Sequence, residues 1–97
     1  MARITYSAAA LDDLERIVDF LLETSMDSAI AAVAQIRGAV TILATHPRIG
    51  RRVRAGMREL VISHGATGYV ALYRVDTPVD LVRILRIRHQ REAGYRD

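Results

Sequence analysis

Hydrophobic positions in the first half of the chain recur at three- and four-residue spacing, which is typical of amphipathic helices. Residues 2–6 alternate as a short strand does, and Ser7 can then accept hydrogen bonds from the first turn of a helix over 8–23. The expected buried stripe contains Leu11, Leu14, Ile17, Val18, Leu21 and Leu22, with Asp12, Asp13, Glu15 and Asp19 outside it. This pattern predicts a strand followed by a helix with one buried face.

A second apolar stripe follows a short polar link, and its members are Ile30, Val33, Ile36, Val40 and Leu43. Asp27 is the candidate N-cap of this second helix. We expect the helix to end near Thr45, because Pro47 disfavours helical geometry at the residue before it. Two helices joined by a short link predict an antiparallel helix hairpin.

The period changes after residues 46–56, which Pro47, Gly50 and Gly56 mark as a loop. Strands are predicted over 57–63, 69–75 and 79–87, with turns at 64–68 and 76–78, and short links favour an antiparallel meander. We therefore predict one α+β domain over 1–97, ordered β-α-α-β-β-β. The helix hairpin packs on one face of a small antiparallel sheet, and the other face carries many arginines. Tyr69 and Tyr73 share a strand face and are expected in the core.

Composition narrows the class of protein. The chain has no cysteine, which excludes disulfides and thiolate metal sites, and three scattered histidines without close acids do not predict a zinc site. No uninterrupted apolar run approaches the length needed to span a bilayer, and the first residues lack the apolar centre of a secretory signal. Phosphate-binding glycine motifs are missing too. We expect a cytoplasmic protein with no metal, no cofactor and no membrane contact.

Charge divides unevenly along the chain. Residues 1–45 contain three arginines and six acids, whereas residues 46–97 contain eleven arginines and five acids. On one small domain this predicts an electropositive face, whose natural partners are polyanions or acidic peptides. The expected face contains Arg51, Arg52, Arg54, Arg83, Arg86, Arg88 and Arg91. Pairing with Glu59, Asp76 or Asp80 is the alternative for Arg74 and Arg83.

Five segments in this order resemble the RelE/ParE superfamily of type II toxins. They are "ITYSAAALDDLERIVDFL", "HPRIGRRV", "MRELVI", "GYVALYRV" and "VRILRIRHQREAGY", and together they span nearly the whole chain. The resemblance implies a small toxin encoded beside a cognate antitoxin, which blocks it with an extended or helical acidic segment. The basic face would attract such a segment.

Two activities dominate that superfamily. ParE-like members inhibit DNA gyrase, and RelE-like members cleave mRNA on the ribosome. The long helix hairpin and "HPRIGR" favour the ParE and plasmid-stabilisation branch, hence gyrase inhibition. The alternatives are a RelE-like endoribonuclease and a non-toxic relic that only binds an antitoxin or DNA.

RNA cleavage would need a base, a cation at the phosphate and an acid. Arg58, Arg74, His89 and Tyr95 match the RelE-like pattern by region, so they are the candidate catalytic residues for that alternative. His64 is a further proton-transfer candidate. Each also has a structural reading: His89 can simply hydrogen-bond at a strand end, and His64 can be an exposed turn residue. The absence of lysine departs from the lysine-rich surface of RelE-type ribonucleases.

Overall fold

The computed structural model describes residues 1–63, 68–92 and 94–95. Its elements are β1 (Arg3–Tyr6), α1 (Ala8–Leu22), α2 (Met26–Thr41), β2 (Arg51–Arg52), β3 (Arg58–Ile62), β4 (Tyr69–Asp76) and β5 (Leu81–His89). The predicted order, helix hairpin and α+β class are confirmed. The candidate His64 and most of the predicted turn at 64–68 are outside the described residues.

The sheet has the strand order β1-β5-β4-β3-β2 and is mixed. β3, β4 and β5 form the predicted antiparallel meander, but β1 pairs parallel with β5, with Thr5 opposite Arg83. Short turns predict antiparallel pairing only for strands that follow each other directly. They do not predict how β1 pairs with β5, because most of the chain separates these two strands. β2 lies inside the predicted loop and adds an edge strand beside β3.

The buried face of α1 differs from the predicted stripe. Ala10, Asp13 and Ile17 are buried, whereas Leu11 is 54% exposed and Leu22 is also exposed. Asp13, expected outside the stripe, has only 4% of its surface exposed. The cap is Ser7, whose Oγ accepts from Ala10 N at 3.0 Å. Hydrophobicity alone misplaces this face, because a hydrogen-bonded carboxylate occupies part of it.

Helix α2 begins after Ser25, whose side chain accepts from Ser28 N, so Ser25 and not Asp27 is the N-cap. The helix ends at Thr41 and continues as a 3₁₀ turn over Ile42–Ala44. The helical stretch Met26–Ala44 contains 19 residues and an 18-residue window of mean hydropathy 1.3. By length and composition it is long and apolar enough to cross a membrane, a test that the core helix of a folded protein also passes. Packing accounts for its apolar side, since Ile36, Val40 and Leu43 are buried in the core.

An irregularity in β5 decides which side chains face which layer. The β4–β5 register passes from Tyr73↔Ile84 to Leu72↔Arg86, which leaves Leu85 without a partner on β4. Ser7 Oγ donates to Leu85 O at 2.8 Å, so the start of α1 is tied to this β-bulge. A bulge bends its strand and re-aims the side chains that follow. Arg86 thereby reaches Asp13 on helix α1, and Arg88 contacts the C-terminal segment.

Candidate functional site

Asp13 on α1 holds the bulged strand from the helix side. Its Oδ2 accepts from Arg86 Nε and from the Ile87 amide, both at 2.8 Å, and its Oδ1 accepts from Arg86 Nη2 at 3.1 Å. Arg16 adds a longer contact of 3.4 Å. Burial raises the pKa of Asp13, but the hydrogen bonds and positive charge outweigh it, so the pKa lies below its ordinary value. Asp13 is therefore a charged buried group that fixes Arg86.

The segment after β5 folds around the Arg88 side chain. Arg88 Nη1 donates to the carbonyl oxygens of His89, Gln90 and Glu92, at 3.2, 3.4 and 3.0 Å. Glu92 accepts from the His89 amide at 3.1 Å and pairs with Arg16 at 3.3 Å. These contacts form a compact turn after β5 that is tied to α1 through Arg16, and Arg88 also lies against the Tyr95 ring.

Tyr95 lies over the sheet and reaches β3. Its hydroxyl donates to Glu59 Oε2 at 2.8 Å, while Glu59 Oε1 accepts from Arg51 Nη2 at 2.7 Å. The guanidinium carbons of Arg86 and Arg88 lie 5.6 and 5.3 Å from the ring centroid, within cation–π range. Burial raises the pKa of Tyr95, and the hydrogen bond to Glu59 raises it further. Burial also raises the pKa of Glu59, but the contacts with Arg51 and Tyr95 outweigh it, so that pKa lies below its ordinary value.

His89 ends β5 and makes structural contacts. Its ring meets that of Tyr69 edge-on, with centroids 5.4 Å apart and planes at 85°. Its Nδ1 accepts from the Arg91 amide at 3.0 Å. Arg91 is exposed beside it. These contacts agree with the structural reading of His89 at a strand end.

Arg74 and Arg83 lie at the far end of the same two strands and face each other in the register. Arg83 is near Asp76, at 3.9 Å, as one alternative predicted, whereas Arg74 Nη2 donates to Ala55 O at 3.0 Å. His89 pairs with Tyr69, five positions from Arg74 along β4, or about 17 Å at the usual rise per strand residue. The structure therefore separates Arg74 from His89, whereas the Tyr95 hydroxyl meets Glu59, which pairs with Leu72, two residues from Arg74.

Arg58 supports the loop before β2. Its Nη1 donates to Arg48 O at 3.0 Å and to Gly50 O at 2.9 Å. The buried Tyr73 hydroxyl donates to Pro47 O at 2.7 Å and accepts from Gly50 N at 2.9 Å. A side chain at Gly50 would meet the Tyr73 hydroxyl at 2.6 Å, so only glycine fits there. Tyr73 belongs to the core as predicted, and its polar end also fixes this loop.

Several of the residues that organise the site were missed by the sequence reasoning. Asp13 was expected outside the buried stripe, Glu59 only in a possible pairing with Arg74 or Arg83, and Tyr73 only in the core. Asp13 did carry a signal, because it lies one helical turn from both Ala10 and Ile17 on the buried face. Its partners, however, are more than seventy residues away. Among the described residues there is no group of three side chains that could hold a metal ion.

The family model for the ParE toxin of the type II toxin–antitoxin system parDE matches residues 4–94. The chain belongs to this family. A curated relative, the toxin RelE3 of Caulobacter vibrioides, is 39% identical over 92 residues, which cover 95% of this chain and 98% of the relative. RelE and ParE names thus occur together among the similar proteins.

Two solved structures share the fold of this ParE-family chain. The chromosomal ParDE system of P. aeruginosa matches with a TM-score of 0.72 and 25% identity, covering 92% of this chain and 96% of that one. The toxin–antitoxin complex RelBE2 of Mycobacterium tuberculosis matches with a TM-score of 0.60 and 26% identity, covering 92% and 98%. Both agree with the two helices packed on a mixed sheet described above.

Proposed function

We propose that this ParE-family toxin inhibits DNA gyrase by binding to it, acts in the cytoplasm, and is neutralised by a cognate antitoxin. In this proposal the chain breaks no bond itself. The proposal rests on the family match and on one feature of the geometry, which is the separation of the groups that RNA cleavage would require.

The proposal is supported by the positions of the four candidate catalytic residues, Arg58, Arg74, His89 and Tyr95. Arg58 is bound to backbone carbonyl groups of the 46–50 loop, and Arg74 is about 17 Å along the sheet from His89. General acid–base catalysis needs its groups within hydrogen-bond reach of one reacting centre. Arg74 and His89 are too far apart for one phosphate to contact both, which favours inhibition by binding.

Tyr95 supports the same conclusion. Its hydroxyl donates to Glu59, and both burial and that contact raise its pKa. A phenol with a raised pKa stays protonated at neutral pH and is a poor base for a 2′-hydroxyl. Its contacts with Glu59, Arg86 and Arg88 instead hold the C-terminal segment on the sheet.

The proposed antitoxin supplies an acidic segment to the arginine-rich surface. The similar structures of P. aeruginosa and M. tuberculosis are described as a toxin–antitoxin system and a toxin–antitoxin complex. In this chain Arg52, Arg54 and Arg91 are exposed and available for carboxylates. We expect the antitoxin complex to weaken as ionic strength rises, since exposed charge pairs are screened by salt.

A supercoiling assay with purified gyrase and relaxed plasmid tests the proposed activity. We expect the purified chain to reduce supercoiling in a dose-dependent way, and added antitoxin to restore it. Undiminished supercoiling at saturating toxin would contradict gyrase inhibition. A preparation inactivated by heat serves as the matched control.

A RelE-like endoribonuclease is the second candidate, and one observation favours it. Arg74 and Arg83 are opposed like charges on neighbouring strands, an arrangement that normally destabilises a sheet and that a bound phosphate would relieve. Primer extension on ribosome-bound mRNA tests it. Cleavage lost in Arg74→Ala, His89→Ala and Tyr95→Ala variants would favour this function over gyrase inhibition.

A further inference from the structure

The loop of residues 46–54 combines a fixed backbone with an outward-facing apolar side chain. The Ile49 side chain is 59% exposed and does not belong to the hydrophobic core. With His46, Pro47 and Arg48 it lines a shallow concavity on the surface. We name residues 46–54 the platform loop.

The backbone of the platform loop is bound from beneath. The Tyr73 hydroxyl bridges Pro47 O and Gly50 N, and Arg58 donates to Arg48 O and Gly50 O. Ile49 N donates to His46 O at 3.2 Å. Binding to a loop that is already ordered loses little conformational entropy, which is the usual advantage of a preorganised surface.

Arginines flank Ile49 along the chain, and Arg48 lines the same concavity. Arg48 donates to Thr77 Oγ1 at 3.1 Å, and Arg51 is paired with Glu59. Arg52 and Arg54 are exposed, and within the described part of the chain neither has a carboxylate within ion-pair distance. An apolar centre with a charged rim is the usual anatomy of a protein-binding epitope.

We propose that the platform loop is the surface through which this toxin contacts its protein target, with Ile49 entering an apolar pocket and Arg52 and Arg54 facing acidic side chains. This inference rests on the proposed function, because it makes gyrase the owner of that acidic surface. A protein partner fits better than a nucleic acid, because the exposed centre of the loop is the aliphatic Ile49 and His46 is the single ring in the loop on which a base could stack.

The test compares platform variants with matched controls. Ile49→Ser is paired with Ile30→Ser, since Ile30 is 61% exposed on α2. The double variant Arg52→Glu/Arg54→Glu is paired with Arg3→Glu/Arg37→Glu, which changes the same charge at two exposed arginines elsewhere. Thermal unfolding verifies that each variant is folded. Growth arrest on induction and inhibition of purified gyrase are measured for all five chains.

We expect both platform variants to lose about tenfold or more in gyrase inhibition and to stop arresting growth, while both controls behave as the wild type does. Platform variants that inhibit gyrase as well as the wild type would overturn the inference and leave the proposed function standing. Binding of wild-type chain to duplex DNA alone, lost in the platform variants, would also overturn it and assign the loop to nucleic acid.

The proposed function and the loop assignment fail in different ways. If the wild type arrests growth without inhibiting gyrase, the proposed function is wrong, and growth arrest then decides the loop: full arrest by the platform variants overturns it, and loss of arrest supports a different protein target. If the wild type arrests no growth at all, both proposals are overturned.

Discussion

Two arginine-rich regions of this domain differ in what their guanidinium groups contact. Beside α1, Arg16 and Arg86 meet the buried carboxylate of Asp13, and Arg88 binds three carbonyl oxygens of the C-terminal segment. In the platform loop, Arg52 and Arg54 extend into solvent. Arginine side chains therefore stabilise the fold in the first region and are exposed to solvent in the second. Changes in the first region should affect stability, and changes in the second should affect binding.

The largest loss of stability is expected for Asp13→Ala. Removing the carboxylate deletes the acceptor of the Ile87 amide and the charge that pairs with Arg86, and breaking a buried ion pair from one side costs about 3–5 kcal/mol. Urea unfolding measures it, with Asp12→Ala on the exposed side of the same helix as the control. Similar unfolding free energies for the two variants would show that Asp13 does not hold the two layers together.

Two glycine-to-alanine variants compare the platform loop with helix α2. Gly50→Ala brings a methyl group against Tyr73 and Glu59 O, and such overpacking costs about 1–3 kcal/mol. Gly38→Ala on α2 meets nothing within 4 Å and should stabilise the helix by about 0.5–1 kcal/mol. Thermal unfolding of both variants tests this opposite sign. A neutral Gly50→Ala would mean that the loop yields easily and is not preorganised.

Acid should weaken the paired region. Asp13 and Glu59 both have a pKa below the ordinary value, so their contribution is full above that value and is lost as pH falls through the folded-state pKa. Urea midpoints measured downward from about pH 5 should therefore fall, and Glu59→Gln should fall less steeply. An unchanged slope in that variant would exclude Glu59 as a contributor.

The smallest effect on stability is expected for the exposed arginines of the platform loop. Arg52→Glu/Arg54→Glu should change the unfolding free energy by only about 0.5 kcal/mol, because exposed side chains that pair with no carboxylate in the described ranges contribute little. Chemical denaturation checks this, and the same preparation then enters the binding experiments. A loss of several kcal/mol would show that these arginines support the fold.

The elements of this fold were predictable because they depend on local patterns. Periodic apolar residues marked both helices, and short turns marked the meander of β3, β4 and β5. The parallel β1–β5 pair and the pairing of Asp13 with Arg86 were not predictable, because each depends on contacts across more than seventy residues. A β-bulge at Leu85 leaves no clear mark in the sequence, yet it brings Arg86 to Asp13.

The candidate site divides in the same way. The basic surface followed from counting arginines, but which of them are paired depends on three-dimensional neighbours. Arg58 and Arg74 looked alike in the sequence, and the structure turns both toward backbone carbonyl oxygens. Tyr95 was singled out by its position near the end of the chain, whereas its acceptor Glu59 was assigned to other partners.

Pulse-labelling of DNA and protein synthesis within minutes of inducing the chain in a bacterium without its antitoxin tests gyrase inhibition most directly in the cell. We expect DNA synthesis to stop first while translation continues. Early loss of translation with DNA synthesis continuing would contradict gyrase inhibition and would make Arg74, His89 and Tyr95 the residues to examine as a cleavage site.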